Sequence, residues 1–230
     1  MKLLLENWRK FLTEMEEPIT TLRIFDFDET IAHTESETRV TEPSGKSAPP
    51  LKNQKEFEDY MNAAAKREGI DAFDPIDQLM ELGYIIDLRD FSIVKDPVEI
   101  TTVTDIMRNF PPDSKTYIIT ARRGDAIGPI LSYLDQIGID SNQVRPIATQ
   151  GESKGNTIAN MMAQKIMSDG KSNIHRIEYY EDSERNIQDV LQKVCQNENL
   201  DRIKPDDFEL IIYKVIKIND DKYDLKKMGC

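Results

Sequence analysis

The sequence predicts an α/β protein with a doubly wound, parallel, Rossmann-like sheet and a small insertion after its first strand. The second half alternates short apolar runs with helical patterns of roughly 10 to 15 residues, which is typical of βαβ units in a parallel sheet. A first apolar run, over residues 22–26, is separated from that region by about 90 residues, which is longer than a simple crossover needs. The extra length indicates an insertion.

Composition limits the classes of function. A net charge of −12 argues against a broad nucleic-acid-binding or anionic-membrane surface, although a small basic pocket remains compatible with it. Cys195 and Cys230 are too few and too scattered for a disulfide framework or a zinc site, so a reducing compartment is expected. The apolar runs are shorter than the roughly 20 residues of a membrane helix, and the N-terminal residues lack a signal-peptide pattern. We therefore expect a soluble, cytoplasmic protein without a membrane partner.

The first half divides into a tail, one strand and the insertion. Apolar residues at helical spacing predict an amphipathic helix or tail over residues 1–17, ending before Pro18. Residues 18–32 open the core with the first strand, and residues 33–97 form a cap or flap. Within the flap we predict, in order, a loose hairpin around "PSGK" over 34–50, a charged helix over 52–68 and an irregular stretch over 70–97.

The second half completes the core over residues 98–218 and leaves residues 219–230 as a C-terminal tail. Apolar runs predict strands over 116–120, 143–147, 176–180 and 208–215. Helical periodicity between them predicts helices over about 98–109, 125–137, 153–167 and from the fourth strand to about 195.

Polar and charged side chains follow the predicted strands. Ligands of doubly wound sheets bind beyond the carboxyl ends of the strands, so these side chains should converge. They are Asp26, Asp28 and Thr30 after the first strand, Thr120, Arg122 and Arg123 after the second, Lys154 before a helix, and Glu181, Asp182 and Asn186 after the fourth. Carboxylate oxygens suit Mg²⁺, an aspartate can be a phosphoryl-accepting nucleophile, and lysine and threonine can hold phosphoryl oxygens.

Each segment alone also has an ordinary structural interpretation. "DFDET" after a strand could be a turn or a helix cap, and "TAR" could be a cap followed by solvated arginines. Lys154 could be a surface lysine, and "EDSERN" could be a helix start with acidic residues favoured by the helix dipole. Their joint order at successive strand ends favours phosphate chemistry over these alternatives.

In these motifs the sequence resembles the haloacid dehalogenase-like (HAD) superfamily of phosphohydrolases. "DFDET", "YIITAR", Lys154 and "YYEDSERN" correspond in order to its four motifs, which frame residues 22–190. The sequences around these motifs are similar to those of phage-type and stand-alone HAD phosphatases. That group in turn resembles nucleic-acid repair phosphatases. "DFDET" also resembles the "DLDET" signature of carboxy-terminal-domain protein phosphatases, but the rest of that pattern is not evident.

The resemblance implies a role for each motif residue. Asp26 would be the nucleophile and a Mg²⁺ ligand, and Asp28 would be the general acid and base, with its backbone carbonyl on Mg²⁺. Asp182 would be the third protein ligand of Mg²⁺. Thr120 and Lys154 would bind the phosphoryl oxygens.

Two positions depart from the family pattern. Position 181 is Glu where Asp or Gly is usual, and position 186 is Asn where a second Asp often occurs. Either change would weaken metal binding or reshape the surroundings of the metal ligands. Glu181 and Asn186 are therefore expected to contact the metal ligands and not the metal itself. The expected substrate-binding side chains are Thr30, His33, Arg122 and Arg123, although His33 could instead make a hydrogen bond within the flap and the arginines could be solvated.

The resulting hypothesis is a Mg²⁺-dependent phosphomonoester hydrolase that forms an aspartyl-phosphate intermediate. Its substrate would be a phosphorylated small molecule, such as a nucleotide, or a nucleic-acid end. The alternatives are a protein phosphatase of the "DLDET" type and a catalytically weak HAD-fold protein with a structural or interaction role. The first 14 residues, which resemble a phage head-targeting peptide, motivate the last alternative and a location in the host cytoplasm or the virion. Nothing indicates the oligomeric state.

Overall fold

A computed structural model describes residues 19–52, 54–71, 75–165, 170–219 and 222–229. The helix or tail predicted over residues 1–17 lies outside the described residues.

The core is a six-stranded, mostly parallel sheet with helices on both sides. In chain order its strands are β1 (Thr21–Phe25), β6 (Ser114–Thr120), β7 (Val144–Ala148), β8 (Arg176–Glu181), β9 (Glu209–Asn219) and β10 (Lys222–Gly229). Their order across the sheet is β10-β9-β8-β1-β6-β7, and every neighbouring pair is parallel except β9 and β10. This confirms the predicted α/β class with a central parallel sheet.

Strand alternation gives the sheet two apolar faces. Phe25 and Phe27 pack on one face, while Leu22 and Ile24 pack on the other, because successive side chains of a strand point to opposite sides. The first face is covered by α3 (Thr101–Met107) and α4 (Ile127–Gln136), and the second by α5 (Lys154–Ala163), α6 (Glu184–Val190) and the short α7 (Glu198–Asp201).

The order of the strands reverses at β1. The chain moves from β1 to β6 and β7 on one side, then returns to β8 and β9 on the other. The carboxyl ends of β1 and β8 therefore flank the point where the order switches, which is where open α/β sheets bind ligands.

The insertion between β1 and α3 has its own small core. Its elements are β2 (Ala32–His33), β3 (Arg39–Thr41), α1 (Gln54–Glu68), α2 (Ile76–Glu81), β4 (Ile85–Asp87), a 3₁₀ turn (Arg89–Ser92) and β5 (Val98–Glu99). Its buried side chains include Val40, Met61, Leu79 and Tyr84. The predicted loose hairpin is present as the antiparallel bridges Thr38–Leu51 and Thr41–Ser47, whereas the stretch predicted to be irregular contains α2 and β4.

Three features differ from the sequence prediction. The expected tail over 219–230 contains β10, an edge strand that pairs with β9 and packs Tyr223 and Leu225 against the core. The helix predicted to continue to residue 195 becomes a π-helix over Leu191–Cys195. Cys195 is disulfide-bonded, although the sequence predicted no disulfide framework; Cys230 lies outside the described residues. No helix among the described residues has the length and apolar character needed to cross a membrane.

Candidate active site

The ends of β1 and β8 bring three acidic side chains together. The backbone N–H of Asp26 donates to the Tyr180 carbonyl at 2.9 Å, which continues the pairing of the two strands past the end of β1. Asp26, Glu181 and Asp182 each place one carboxylate oxygen within 4.8 Å of the others. Asp26 and Glu181 are buried, and Asp182 is partly exposed.

This buried acidic trio could hold a metal ion. Its donors are all carboxylate oxygens, the ligands that hard divalent cations such as Mg²⁺ prefer. The chemistry of the donor set therefore fits the Mg²⁺ site expected from the sequence. Asp28, whose backbone carbonyl was the remaining expected ligand, follows two residues after Asp26.

Lys154 is buried within the acidic trio. Its ammonium nitrogen lies 2.7 Å from Asp26 Oδ1 and 2.8 Å from Glu181 Oε2, and only 3% of the residue is exposed. The interpretation of Lys154 as an ordinary surface lysine is therefore wrong. Burying an ammonium group is costly unless it is paired, and here two carboxylates pair with it.

The start of α5 is fixed by α6, and this fixes the backbone of Lys154. Asp189 on α6 accepts hydrogen bonds through Oδ2 from the Ser153 hydroxyl and from the Gly155 backbone N–H, both at 2.8 Å. Ser153 in turn caps α5 by accepting from the Asn156 N–H at 2.9 Å. The helix that carries Lys154 is thus tied to the helix that follows β8.

Glu181 is an anchor for this arrangement. Its Oε2 accepts from Lys154 and from the Tyr179 hydroxyl, while Oε1 accepts from the Ser183 N–H at 3.1 Å and from Asn186 Nδ2 at 3.2 Å. Two hydrogen bonds on each oxygen leave Glu181 less suited to coordinate a cation than Asp26 and Asp182. The two positions that depart from the family pattern, 181 and 186, contact each other directly.

The carboxyl groups of the site have strongly shifted pKa values in the metal-free protein. Burial, reinforced by the charge of Glu181, raises the pKa of Asp26 from 3.8 to about 8. Burial and the charges of Glu181 and Asp26 raise the pKa of Asp182 well above its usual value. A bound cation would favour loss of the proton from both groups, because metal ligands must be deprotonated.

The pKa values of Lys154 and Glu181 shift in the directions expected of a buried ion pair. Burial opposes the charged form of Lys154, but the carboxylates of Asp26 and Glu181 outweigh it and raise the pKa of the ammonium group. Burial also opposes ionisation of Glu181, but the charge and hydrogen bond of Lys154 lower its pKa below the usual value. Glu181 and Lys154 are therefore both charged at neutral pH.

Asp28 is held by an arginine. Arg122 donates from Nε to Asp28 Oδ2 at 2.8 Å and from Nη2 to Asp28 Oδ1 at 2.6 Å, a two-bond pairing in which the arginine side chain is only 1% exposed. The hydroxyl of Thr34 also donates to Asp28 Oδ1, at 3.0 Å. The sequence predicted Arg122 as a substrate-binding side chain, whereas the structure places it against Asp28.

The remaining predicted residues lie around these groups. Thr120 is buried at the end of β6, and its hydroxyl oxygen accepts from the Arg122 backbone N–H at 3.2 Å. Thr30 is buried and donates to Asp182 Oδ1 at 3.4 Å. His33 pairs with Glu29, which fits the flap hydrogen bond considered as its alternative. The Arg123 side chain is 67% exposed, with Asp125 at 3.9 Å.

Sequence reasoning missed several supporting residues. Tyr179 could have been found, since it stands two residues before Glu181 on the same strand and therefore shares its face. Asp189 lies in a predicted helix, but no local pattern connects it to Ser153. The Arg122 guanidinium contacts two backbone carbonyls and the hydroxyls of Thr34 and Ser36 in the insertion, and no local pattern connects these groups to Arg122.

Comparisons with known proteins add little. No family model matches the chain, and no curated protein matches it. A search of solved structures finds the Legionella pneumophila effector Ceg4, in crystals carrying an N-terminal yeast Hog1p sequence, with 13% identity and a TM-score of 0.37 over 86% of this chain and 87% of that chain. The same effector with an N-terminal TEV protease cleavage sequence gives 13% identity and a TM-score of 0.37 over 87% of this chain and 88% of that one. A likeness at this level carries no argument about fold or function.

Proposed function

We propose that this protein is a Mg²⁺-dependent phosphomonoester hydrolase of the HAD type that uses an aspartyl-phosphate intermediate. The observation that carries the proposal is the buried ammonium of Lys154, 2.7 Å from Asp26, beside Glu181 and Asp182 at the switch point of the sheet. Phosphoryl transfer requires a nucleophile, positive charge near the phosphoryl oxygens and ligands for a metal ion. The switch point of the sheet offers a candidate for each.

In the proposed reaction Asp26 attacks phosphorus and the bond from phosphorus to the ester oxygen breaks. Asp28 gives a proton to the departing oxygen, which leaves as an alcohol. Asp28 then removes a proton from a water molecule that attacks the aspartyl phosphate, which releases inorganic phosphate and restores Asp26. Asp26 must be ionised to attack, so the factors that raise its pKa in the metal-free protein have to be offset.

Two groups are available to offset them. Lys154 favours the ionised form of Asp26 by charge and by a hydrogen bond. When bound, Mg²⁺ would be held by Asp26, Asp182 and the Asp28 carbonyl, and it would supply positive charge to the carboxylates and the phosphoryl oxygens. Lys154 and Thr120 would contact the phosphoryl oxygens, and Thr30 would hold Asp182 in place.

The substrate class is proposed from the sequence resemblance, and the insertion is the element that would select it. The insertion lies over the carboxyl end of the sheet, where Arg122 contacts the backbone of Phe91 and Ile93, so it can select the leaving group and exclude water. We propose a phosphorylated small molecule, such as a nucleotide, or a nucleic-acid end. Arg123 and His33 remain candidates to contact the substrate.

The test is turnover of p-nitrophenyl phosphate with Mg²⁺ by the wild type and by Asp26→Asn. Wild-type turnover that EDTA removes, and a loss of about 10³-fold or more in the variant, is the expected result for a missing nucleophile. Asp77→Asn, an exposed carboxylate on α2, is the matched control and should keep full activity. Full activity of Asp26→Asn would show that the mechanism is wrong.

One observation favours a second candidate, a catalytically weak protein with a binding role. Glu181, where the HAD pattern usually has Asp or Gly, accepts two hydrogen bonds on each carboxylate oxygen and is therefore less suited to hold a cation. A panel of nucleotides, 3′- and 5′-phosphorylated oligonucleotides, sugar phosphates and phosphopeptides separates the two candidates. Turnover of one class far above the others supports the enzyme and names its substrate, whereas uniformly negligible turnover supports the binding role.

A further inference from the structure

Arg122 connects the catalytic edge of the sheet with the insertion. Besides its two hydrogen bonds to Asp28, its Nη1 donates to the carbonyl of Phe91 at 3.1 Å and to the carbonyl of Ile93. Its Nη2 also donates to the hydroxyls of Thr34 and Ser36, at 3.0 and 3.2 Å. Apart from Asp28, every one of these acceptors belongs to the insertion.

The guanidinium is held by stacking as well as by hydrogen bonds. Its central carbon lies 5.3 Å from the centre of the Phe27 ring, which belongs to the core, and 5.2 Å from the Phe91 ring, which belongs to the insertion. An arginine has five N–H groups in a fixed planar fork. The six acceptors engage both nitrogens of the fork and Nε, so the position of the fork depends on core and insertion together.

Asp28 depends on this fork for its orientation. Its side chain is 31% exposed, at the open edge of the site, and its side-chain hydrogen bonds come from Arg122 and from Thr34. A partly exposed aspartate without such partners would populate several rotamers. Thr34 belongs to the insertion, and Arg122 is held by it.

We propose that Arg122 is a positioning residue that makes the orientation of Asp28 depend on the seating of Phe91–Ile93 on the core. The inference rests on the proposed function, in which Asp28 is the general acid and base. When the segment is seated, the fork is complete and Asp28 is aimed; when it lifts away, Nη1 loses both carbonyl acceptors and the fork can turn. Protonation of the leaving group would thereby require that the insertion is seated on the core.

A direct role in binding phosphate is the alternative for Arg122. A phosphate could reach the guanidinium only by displacing Asp28 or the carbonyls of the insertion, because the side chain is 1% exposed and its N–H groups are already used. A phosphate ligand would affect all substrates in the same way. A residue that positions the general acid affects them according to how much their leaving group needs a proton.

The decisive experiment compares two esters with the same phosphoryl group. p-Nitrophenyl phosphate has a good leaving group that needs little protonation, whereas an alkyl phosphate such as glycerol 3-phosphate has a poor one. For Arg122→Met we expect kcat/KM with the alkyl ester to fall by about 10²–10⁴-fold, the range of general acid catalysis, and kcat/KM with the aryl ester to change much less. The ratio kcat/KM reports formation of the aspartyl phosphate and not its hydrolysis, which both esters share. Asp28→Asn should show the same split, and the double variant should be no worse than Asp28→Asn alone.

The conservative variant and a matched control complete the activity test. Arg122→Lys keeps the charge but not the fork, so it should recover only a small part of the lost alkyl-ester activity. Arg176→Met removes an arginine that pairs with Glu209 through Nε and Nη2 at 3.1 and 2.8 Å on the protein surface, and it should behave as the wild type. Equal losses on both esters together with a raised KM would overturn the proposal in favour of a phosphate ligand.

A second readout does not depend on activity. Amide hydrogen exchange over residues 88–96 should rise at least tenfold in Arg122→Met, because the segment loses its donors, and should stay unchanged in Arg176→Met. Unchanged exchange in Arg122→Met would overturn the link to the insertion. If the wild type hydrolyses no phosphate ester, the proposed function fails, and the exchange result still decides whether Arg122 seats the insertion.

Discussion

The ammonium group of Lys154 lies 2.7 Å from the carboxylate of Asp26, and both side chains are at least nine-tenths buried. Two further carboxyl groups lie beside this pair, because Glu181 and Asp182 each place an oxygen within 4.8 Å of Asp26. One cation cannot balance three ionised carboxylates, so burial and the neighbouring carboxyl groups hold the pKa values of Asp26 and Asp182 above their usual range in the metal-free protein. A divalent cation offsets the cost of ionising both groups, so the site is better arranged for binding than for stability.

Replacing Lys154 with Met should destabilise the protein and abolish its activity. The substitution leaves Asp26 and Glu181 without their shared partner, and breaking a buried ion pair from one side costs about 3–5 kcal/mol. Thermal unfolding at pH 8 in EDTA measures the loss. Lys165→Met, at an exposed position, is the control and should shift Tm little.

A second variant separates the lost charge from the lost packing. Adding Glu181→Gln to Lys154→Met removes one of the stranded carboxylates, so the double variant should be more stable than Lys154→Met alone. Equal Tm values for the two would contradict the assignment of the destabilisation to unpaired charge.

The stability of the metal-free protein should depend on pH through Asp26. The pKa of Asp26 rises from 3.8 to about 8 on folding. A carboxyl group with a raised pKa contributes its full stability below about pH 4, and this stability is lost as the pH rises towards 8, because the unfolded chain ionises more readily. Asp26→Asn does not titrate, so its stability relative to the wild type should increase across this range, by an amount on the order of a few kcal/mol, since one pKa unit corresponds to about 1.4 kcal/mol.

Thermal unfolding in EDTA at intervals from pH 4 to pH 9 checks this difference. The Tm of Asp26→Asn minus that of the wild type should grow with pH, and the exposed control Asp77→Asn should show a flat difference. Saturating Mg²⁺ should raise Tm of the wild type at pH 8 more than that of Asp26→Asn, because ligand binding stabilises the folded state. A difference that stays constant with pH would rule out a raised pKa at Asp26.

Much of the site could be predicted because it lies at strand ends. The apolar runs locate β1 and β8, and parallel strands bring the residues that follow them to one edge, which places Asp26 near Asp182. The role of Glu181 was harder to predict, since its four hydrogen bonds come from a strand, a turn and two helices. β10 was missed although Tyr223 and Leu225 alternate with polar residues, because the lysines of an exposed edge strand resemble those of a tail.

Placing an aspartate at position 186, where the HAD pattern often has one, should be unfavourable here. Asn186 Nδ2 donates to Glu181 Oε1 at 3.2 Å, so an aspartate at this position would place a carboxylate beside the carboxylate of Glu181. We expect Asn186→Asp to lower Tm in EDTA by more than Asn186→Ala, which removes the hydrogen bond without adding charge and should cost about 1–3 kcal/mol. An Asn186→Asp variant as stable as the wild type would show that Asn186 does not support Glu181 in this way.

Two glycines at the second position of a helix give a matched test of how Lys154 is positioned. A Cβ on Gly155 would lie 2.7 Å from the backbone oxygen of Asp189, whereas a Cβ on Gly128 would meet nothing within 4 Å. Alanine favours helices by about 1 kcal/mol over glycine, so Gly128→Ala should be neutral or stabilising. Gly155→Ala should instead cost about 1–3 kcal/mol, the usual cost of overpacking, because it forces α5 away from the backbone of α6.

The same displacement should reach the site. Lys154 directly precedes Gly155, and Asp189 holds both the Gly155 N–H and the Ser153 hydroxyl at 2.8 Å, so moving α5 carries the ammonium away from Asp26. Turnover of p-nitrophenyl phosphate should therefore fall by at least tenfold in Gly155→Ala and stay at the wild-type level in Gly128→Ala, measured well below both Tm values. A Gly155→Ala variant that loses stability but keeps full turnover would show that Lys154 does not need the close contact of α5 with α6.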